Sequence, residues 1–203
     1  MKRTLLSIAL AASASLAGAS QVSVDWLGAG DGLLTLDTAS GLEWLDLSQT
    51  YNQTVAGVLP QIGAGQVFEG FRLATASEVH TLMSNAGIPV STTTGTIAAT
   101  AAELAAADAL TALLSETVGQ EFGADYRGSR GHLLDNGADL VPGYYIIDGT
   151  SLFNDYFTGF ASWPGAGVWL VRAANGGTVP EPGTLGLLAA ALAGLALSRK
   201  KSV

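Results

Sequence analysis

Few residues in this chain are of types that do chemistry, and most of those stand alone. The nearest approach to a binding constellation is Arg127, Arg130 and His132, three basic side chains within six residues of a Gly-rich stretch. A guanidinium presents a planar fork that matches a carboxylate or a phosphate, so the three could contact an acidic sugar or phosphate. Paired with Asp125 or Asp135 they would instead be ordinary loop charges. Asp135-Asn136-Gly137-Ala138-Asp139 offers hard oxygen ligands around a glycine, but it lacks the full spacing of a calcium loop and reads equally well as a plain acidic turn. Glu43 and Asp46 have the residue types of a glycosidase carboxylate pair, in a chain with enough acids to make such pairs by chance. His80 follows a helix start and has no second histidine or cysteine near it in sequence. Cysteine is absent altogether, which excludes disulfides, thiolate metal sites and a Cys nucleophile. No Gly-x-Ser-x-Gly elbow, His-Glu-x-x-His pair or phosphate-binding glycine loop occurs. The glycines at 28–32 precede a predicted strand, where no helix N-terminus would meet a phosphate. The sequence therefore points to no catalytic residue, no metal and no cofactor. Tyr144, Tyr145, Phe153, Tyr156, Phe157, Phe160 and Trp163 form an aromatic-rich stretch that could either line a carbohydrate groove or fill a core.

The elements that must position these residues follow from the hydrophobic period and from turn and cap signals. Residues 22–27 alternate, with Val22, Val24 and Trp26 on one face of a strand, and 28–32 form a Gly-rich turn. Residues 33–36 and 42–45 flank Asp37-Thr38-Ala39-Ser40-Gly41 and predict a β-hairpin. A helix is expected over about 51–59, ended by Pro60. Thr75-Ala76-Ser77-Glu78 has the form of a capping box, followed by the apolar stripe Val79, Leu82, Met83 and a stop at Gly87. Thr100-Ala101-Ala102-Glu103 is a second such box. Behind it Leu104, Ala107, Leu110, Leu114 and Val118 share a helical face before Gly119. Residues 144–147 and 168–171 predict short strands. The order, without regular βαβ alternation, predicts an α+β domain with short antiparallel strands and two to three helices. In this scheme Trp44 is an apolar anchor after the hairpin. Thr75 and Glu78 serve as the cap, and Arg72 pairs with Glu69 or Asp46 or lies over an aromatic ring.

At 203 residues, 48% hydrophobic and 13% charged, the chain has material for one domain plus tails. The formal net charge of −8 argues against a nucleic-acid partner. Both tails are distinctive. Met1-Lys2-Arg3, an apolar run over 5–16 and Ala17-Gly18-Ala19 predict a signal peptide over 1–19, cleaved after Ala19, with Ala14 as an alternative site. At the other end a linker over 174–178 leads to a segment, 179–203, with three parts: Pro180-Glu181-Pro182, an uncharged stretch over 184–198, and Arg199, Lys200, Lys201. As a helix the stretch would be about 22 Å long, short for a bilayer core yet able to span with thinning or snorkelling. The basic cluster would hold the cytoplasmic side. The prolines would keep the flanking backbone extended, as a processing enzyme requires. Between the tails, the ectodomain keeps four arginines against sixteen acids, a charge of −12. That charge favours solubility and repels anionic lipid and nucleic acid.

The three-part tail resembles the PEP-CTERM sorting signal. The resemblance implies export in a Gram-negative bacterium, insertion of the precursor in the inner membrane through the C-terminal transmembrane helix, and processing by an exosortase, a membrane-embedded Cys transpeptidase. The cargo would pass through the secretion machinery to the envelope or the extracellular polysaccharide matrix. A second resemblance covers the middle of the chain. The 37–44 segment is similar to a D-x-x-T-G-L-x-W opening. Residues 70–79 resemble a G-W-R-L-P-T-x-x-E-L centre, and Trp169-Leu170-Val171-Arg172 resembles a closing strand ending in V-R. These are marks of the Lcl C-terminal-like domain, grouped with C-type-lectin-like and formylglycine-generating-enzyme-like folds. Here Ser40 replaces Thr, Phe71 replaces Trp and Ala74 replaces Pro, and the family's cysteine near the closing strand is missing. The resemblance implies a lectin-like ectodomain over 20–173 and transfers no catalytic or ligand role. The expectation is a non-enzymatic envelope or matrix protein that could bind polysaccharide; the alternative is a secreted hydrolase acting on the same matrix.

Overall fold

A computed structural model describes residues 20–119, 126–135, 138–158 and 165–174, apart from the side chains of 135, 138–139 and 155–158. The predicted signal peptide, the sorting segment with its helix and basic tail, and the linker beyond Ala174 lie outside the described residues. Among the described residues no helix is long and apolar enough to cross a membrane.

The elements run β1 (Gln21–Val24), β2 (Leu34–Asp37), β3 (Leu42–Leu45), α1 (Val55–Val58), β4 (Arg72–Leu73), α2 (Ala76–Asn85), β5 (Gly95–Ala98), α3 (Ala101–Leu114), β6 (Tyr126–Asp135), β7 (Ala138–Ile147), β8 (Ser151–Thr158), β9 (Gly167–Val168) and β10 (Leu170–Ala173). They form an α+β fold with two five-stranded sheets, ordered β1-β2-β3-β10-β4 and β5-β8-β7-β6-β9. Pairing is antiparallel except between β6 and β9, where Gly131 and His132 run parallel to Gly167 and Val168. The expected hairpin is β2–β3, with Asp37 opposite Leu42 and Gly41 at φ +68°, a conformation that glycine adopts without steric cost.

Both capping boxes are present. Thr75 accepts from the Glu78 N–H while Glu78 accepts from the Thr75 N–H, and Thr100 and Glu103 repeat the exchange. Gly87, at φ +85°, follows α2 as the sequence predicts. The helix α3 ends earlier than expected. Ser115, at φ +68°, breaks it after Leu114, so Val118 is buried from the following segment and Gly119 is not the stop.

Four further expectations are corrected. The first strand ends at Val24, because the Asp25 and Asp31 carboxylates draw the next backbone N–H groups into a loop, and Val22 is exposed. The expected 51–59 helix is broken into a 3₁₀ turn at Leu47–Thr50, the short α1 capped by Thr54, and a 3₁₀ turn at Leu59–Gln61 that contains Pro60. Asn52 at φ +60° separates the first two. The strands are not all short, since β6 and β7 have ten residues each and β8 has eight. The expected strands at 144–147 and 168–171 are respectively the end of β7 and a run split between β9 and β10.

Two apolar clusters hold the layers. The larger joins Trp44, Leu47, Trp169 and Val171 to Leu133, Leu140, Tyr144, Ile146 and Leu152 of the second sheet, and to buried faces of α2 and α3. The smaller packs Leu34, Leu45 and Leu170 against Val55, Val58, Phe68 and Phe71. Alternation along β3 and β10 sends Trp44 and Val171 one way and Leu45 and Leu170 the other. The first sheet is thus covered on both faces. Trp169 fastens the two sheets together. Its N–H donates to the His132 carbonyl, its carbonyl accepts from Ala74 N–H, and its indole N–H donates to the Pro142 carbonyl at 2.9 Å. Trp44 meets it edge-on, with ring centroids 5.8 Å apart.

Candidate functional site

The basic trio does not form one cluster. In β6 the core side is marked by Leu133, within the larger apolar cluster, and by Gly131, whose missing Cβ would stand 3.0 Å from Leu47 and Trp169. Residues two apart share a face of a strand, so Arg127 lies on that helix-covered side and Arg130 and His132 on the other. Arg127 is exposed and makes a two-pronged pair with Asp108 of α3, at 3.1 and 3.2 Å. Arg130 and His132 are each only 1% exposed. Arg130 lies opposite Gly143, where a Cβ would overlap Arg130 Cβ and stand 2.6 Å from Ser129 O.

The aromatic stretch divides by the same parity. Tyr144 is fully buried on the core side; its hydroxyl lies 3.1 Å from the Thr111 hydroxyl and donates to the Ala107 carbonyl. Burial raises its pKa above the ordinary phenol value. Tyr145 and Phe153 are direct cross-strand partners on the opposite face and are half-buried. Their rings stack at 4.8 Å, and Tyr126 leans on Tyr145 at 6.0 Å. Three rings therefore make a row across β6, β7 and β8, on the face that also carries Arg130 and His132. Phe160 and Trp163, and the side chains of Tyr156 and Phe157, lie outside the described residues.

The described carboxylates singled out by the sequence are engaged in structural contacts. Glu43 pairs with Arg172 at 2.7 Å, and Arg172 lies over the Phe71 ring at 4.8 Å. Asp46 caps a 3₁₀ turn through the Ser48 N–H and accepts from the Ser115 hydroxyl, each at 2.8 Å. Arg72 pairs with Glu78, at 2.6 and 2.9 Å, rather than with Glu69 or Asp46. Glu69 instead accepts from the Gly65 N–H. The stacking role foreseen for Arg72 belongs to Arg172. Arg72 holds the Glu78 carboxyl down at about 2, with help from the Thr75 N–H and hydroxyl. His80 has its pKa lowered by burial. Among the described residues no group of three or more His, Cys, Asp or Glu could hold a metal ion. The side chains of Asp135 and Asp139 fall outside that statement; the backbone there pairs Asp135 with Ala138 across a hairpin.

Two carboxylate sites escaped the sequence reading. Asp31 accepts from the N–H groups of Trp26, Leu27, Gly28 and Leu33. The Trp26 N–H is the largest influence lowering its pKa, which stands at about 2. Asp37, fully buried, accepts from the Ser40 hydroxyl at 2.5 Å, the Asn85 amide at 2.8 Å and the Ala39 N–H at 3.3 Å. It shapes a loop that grips both ends of the domain. Thr38 N–H donates to the Ser20 carbonyl, the Ser20 N–H donates to the Thr38 hydroxyl, and Ala174 N–H donates to the Gly41 carbonyl. The legible signal was Asp followed three residues later by Ser within a hairpin loop.

Just beyond the described domain, residues 178–200 match the PEP-CTERM protein-sorting motif. That motif marks a protein sorted by an exosortase to the cell surface, which agrees with the tail resemblance. No curated protein and no solved structure matches the chain.

Proposed function

We propose that the chain is a non-enzymatic surface protein whose single lectin-like domain is carried through the secretion machinery, held in the inner membrane as a precursor, and processed by exosortase at the Pro180-Glu181-Pro182 segment on its way to the envelope or matrix. The match over residues 178–200 carries the sorting part of this reading. The lectin-like assignment draws support from the three Lcl-like segments, which lie side by side. β3, from the first, pairs with β10, from the third, and β10 pairs with β4, from the second. The non-enzymatic reading draws support from Glu43, Asp46, Asp31, Asp37 and Glu78, each held by neighbouring donors.

The same reading gives the domain a polysaccharide partner. The row Tyr126–Tyr145–Phe153 supports it, because half-buried rings on a sheet face offer apolar surface to sugar C–H groups. The test is retention of the mature protein on the host's own extracellular polysaccharide. Tyr145→Ala should lower retention at least threefold with the far-UV spectrum and the urea midpoint little changed. Equal retention removes the polysaccharide partner while leaving the sorting reading intact.

A further inference from the structure

Asp37 is a buried charge with no opposite charge among its contacts. Its carboxylate is fully buried. Its partners among the described residues are all uncharged: the Ser40 hydroxyl, the Asn85 and Gln21 side-chain amides, and the Ala39 N–H. A carboxylate taken out of water without a counter-charge is costly, so a cation held close to it would relieve the fold.

The charged groups of the elements around it are already engaged. Alternation puts Asp37 on one face of the first sheet with Gln21 and Leu42, its partners in register, and puts Glu43 and Arg172 on the other. Those two pair with each other at 2.7 Å. Helix α2 brings Asn85 to Asp37, while its Glu78 pairs with Arg72 and its His80 stands more than one helical turn from Asn85. On α3, Glu103 closes its capping box and Asp108 pairs with Arg127. Asp25 and Asp31 follow the far end of β1 and hold backbone N–H groups there.

One backbone nitrogen beside Asp37 is placed to become a cation. Ser20 is clamped to Thr38, the residue after Asp37. Its N–H donates to the Thr38 hydroxyl at 3.1 Å, and its carbonyl accepts from the Thr38 N–H and hydroxyl at 3.1 and 3.0 Å. Gln21 lies directly opposite Asp37. With strands about 4.8 Å apart and residues about 3.4 Å along each, the Ser20 and Asp37 backbones are about 6 Å apart. Cleavage after Ala19 adds water across the Ala19–Ser20 amide. Ala19 leaves as a carboxylate, and the Ser20 nitrogen becomes an amine that takes a proton at neutral pH. One of its three N–H bonds can keep the Thr38 hydroxyl, while the positive charge stays next to Asp37.

We propose that the Ser20 α-ammonium created by this cleavage is the counter-ion of Asp37, so that export processing completes a charge pair the unprocessed chain lacks. The inference rests on the reading of residues 1–19 as a cleaved signal peptide. Opposite unit charges at such a separation attract appreciably even near a protein surface.

Residues 20–198 contain no lysine, so this amine is the lone primary amine of the ectodomain. Mature protein recovered from the host is labelled with limiting acetic anhydride at pH 7.5. The acetylated fraction of its N-terminal fragment is read by mass spectrometry against the free peptide Ser-Gln-Val-Ser. Only the unprotonated amine reacts, so a neighbouring carboxylate slows the labelling. The rate should lie at least threefold below that of the peptide, and Asp37→Asn should restore most of it. A rate equal to the peptide's, or an equally slow rate in Asp37→Asn, overturns the inference while leaving the cleavage reading intact. Should Asp37→Asn fail to fold, a Gly-Ser-Gly-Ser insertion between Ala19 and Ser20 keeps every residue of the fold and carries the amine away. That chain should label at the peptide's rate, and slow labelling there overturns the inference. A mature chain that does not begin at Ser20 overturns the cleavage reading, and the inference with it.

Discussion

Asp37→Ala is the substitution that most sharply probes how the domain secures its ends. The carboxylate is fully buried and accepts two short hydrogen bonds, from Ser40 and Asn85, and a longer one from the Ala39 N–H. Hydrogen bonds to charged acceptors are worth about 1.5–3 kcal/mol each, and donors left without a partner add their desolvation cost. Ser40 is exposed and recovers much of its loss through water, so its share falls to about 1 kcal/mol, while the part-buried Asn85 contributes about 2 kcal/mol. The sum is about 3 kcal/mol, which for a domain of this size lowers Tm by about 6–12 °C. Urea and thermal unfolding of the mature protein, followed by fluorescence of the buried Trp44 and Trp169, measure both quantities. Asp37→Asn keeps the shape and one acceptor and should lose about half as much. A loss below about 1 kcal/mol for Asp37→Ala would refute the claim that this carboxylate organises the loop.

Two further outcomes concern stability. Glu78 and Asp31 both titrate at about 2 in the folded chain, against about 4 when unfolded. Their contribution is therefore complete above the unfolded values and drains away as pH falls toward 2. The urea midpoint should stay level between about pH 7 and 5 and drop below about pH 4.5; a flat profile to pH 2.5 would contradict the two assignments. Gly167→Ala would place a Cβ 2.7 Å from the Leu47 carbonyl oxygen, a backbone atom that cannot swing aside. Overpacking of this kind costs about 1–3 kcal/mol, read as a shift in the urea midpoint, and an unchanged midpoint would show that the β9 crossing is looser than described.

Local signals were the legible part of this fold. Thr75, Glu78, Thr100 and Glu103 encode helix starts in four adjacent residues each, and the β2–β3 hairpin needs only two apolar runs and a glycine. The long central strands were harder to read. β7 contains Pro142 and Gly143 in an interior strand, residues that argue against a central strand when read alone. Gly128 and Gly131 interrupt the apolar alternation of β6 in the same way. Those glycines are there because Tyr145, Leu47 and Trp169 approach too closely for a side chain, a fact visible only once the sheets are packed. The Asn136-Gly137 dipeptide between Asp135 and Ala138 was the available hairpin signal. For the candidate site, sequence nearness misled. Arg127 and Arg130 stand three apart, a spacing that brings side chains together on a helix and separates them on a strand. The ring pair Tyr145–Phe153 was within the singled-out stretch, but its meeting depends on cross-strand register. Arg72 pairs instead with Glu78, already fixed by the capping box, and the place over an aromatic ring foreseen for it is taken by Arg172.

The central claim is that the tail of the chain is a processed sorting signal, and intact mass of the native protein tests it most directly. Protein recovered from the host envelope should lack the mass of the residues after the Pro180-Glu181-Pro182 segment when exosortase is present, and should retain them, in the inner-membrane fraction, when it is deleted. A surface form that carries Arg199, Lys200 and Lys201 in both strains would contradict the account.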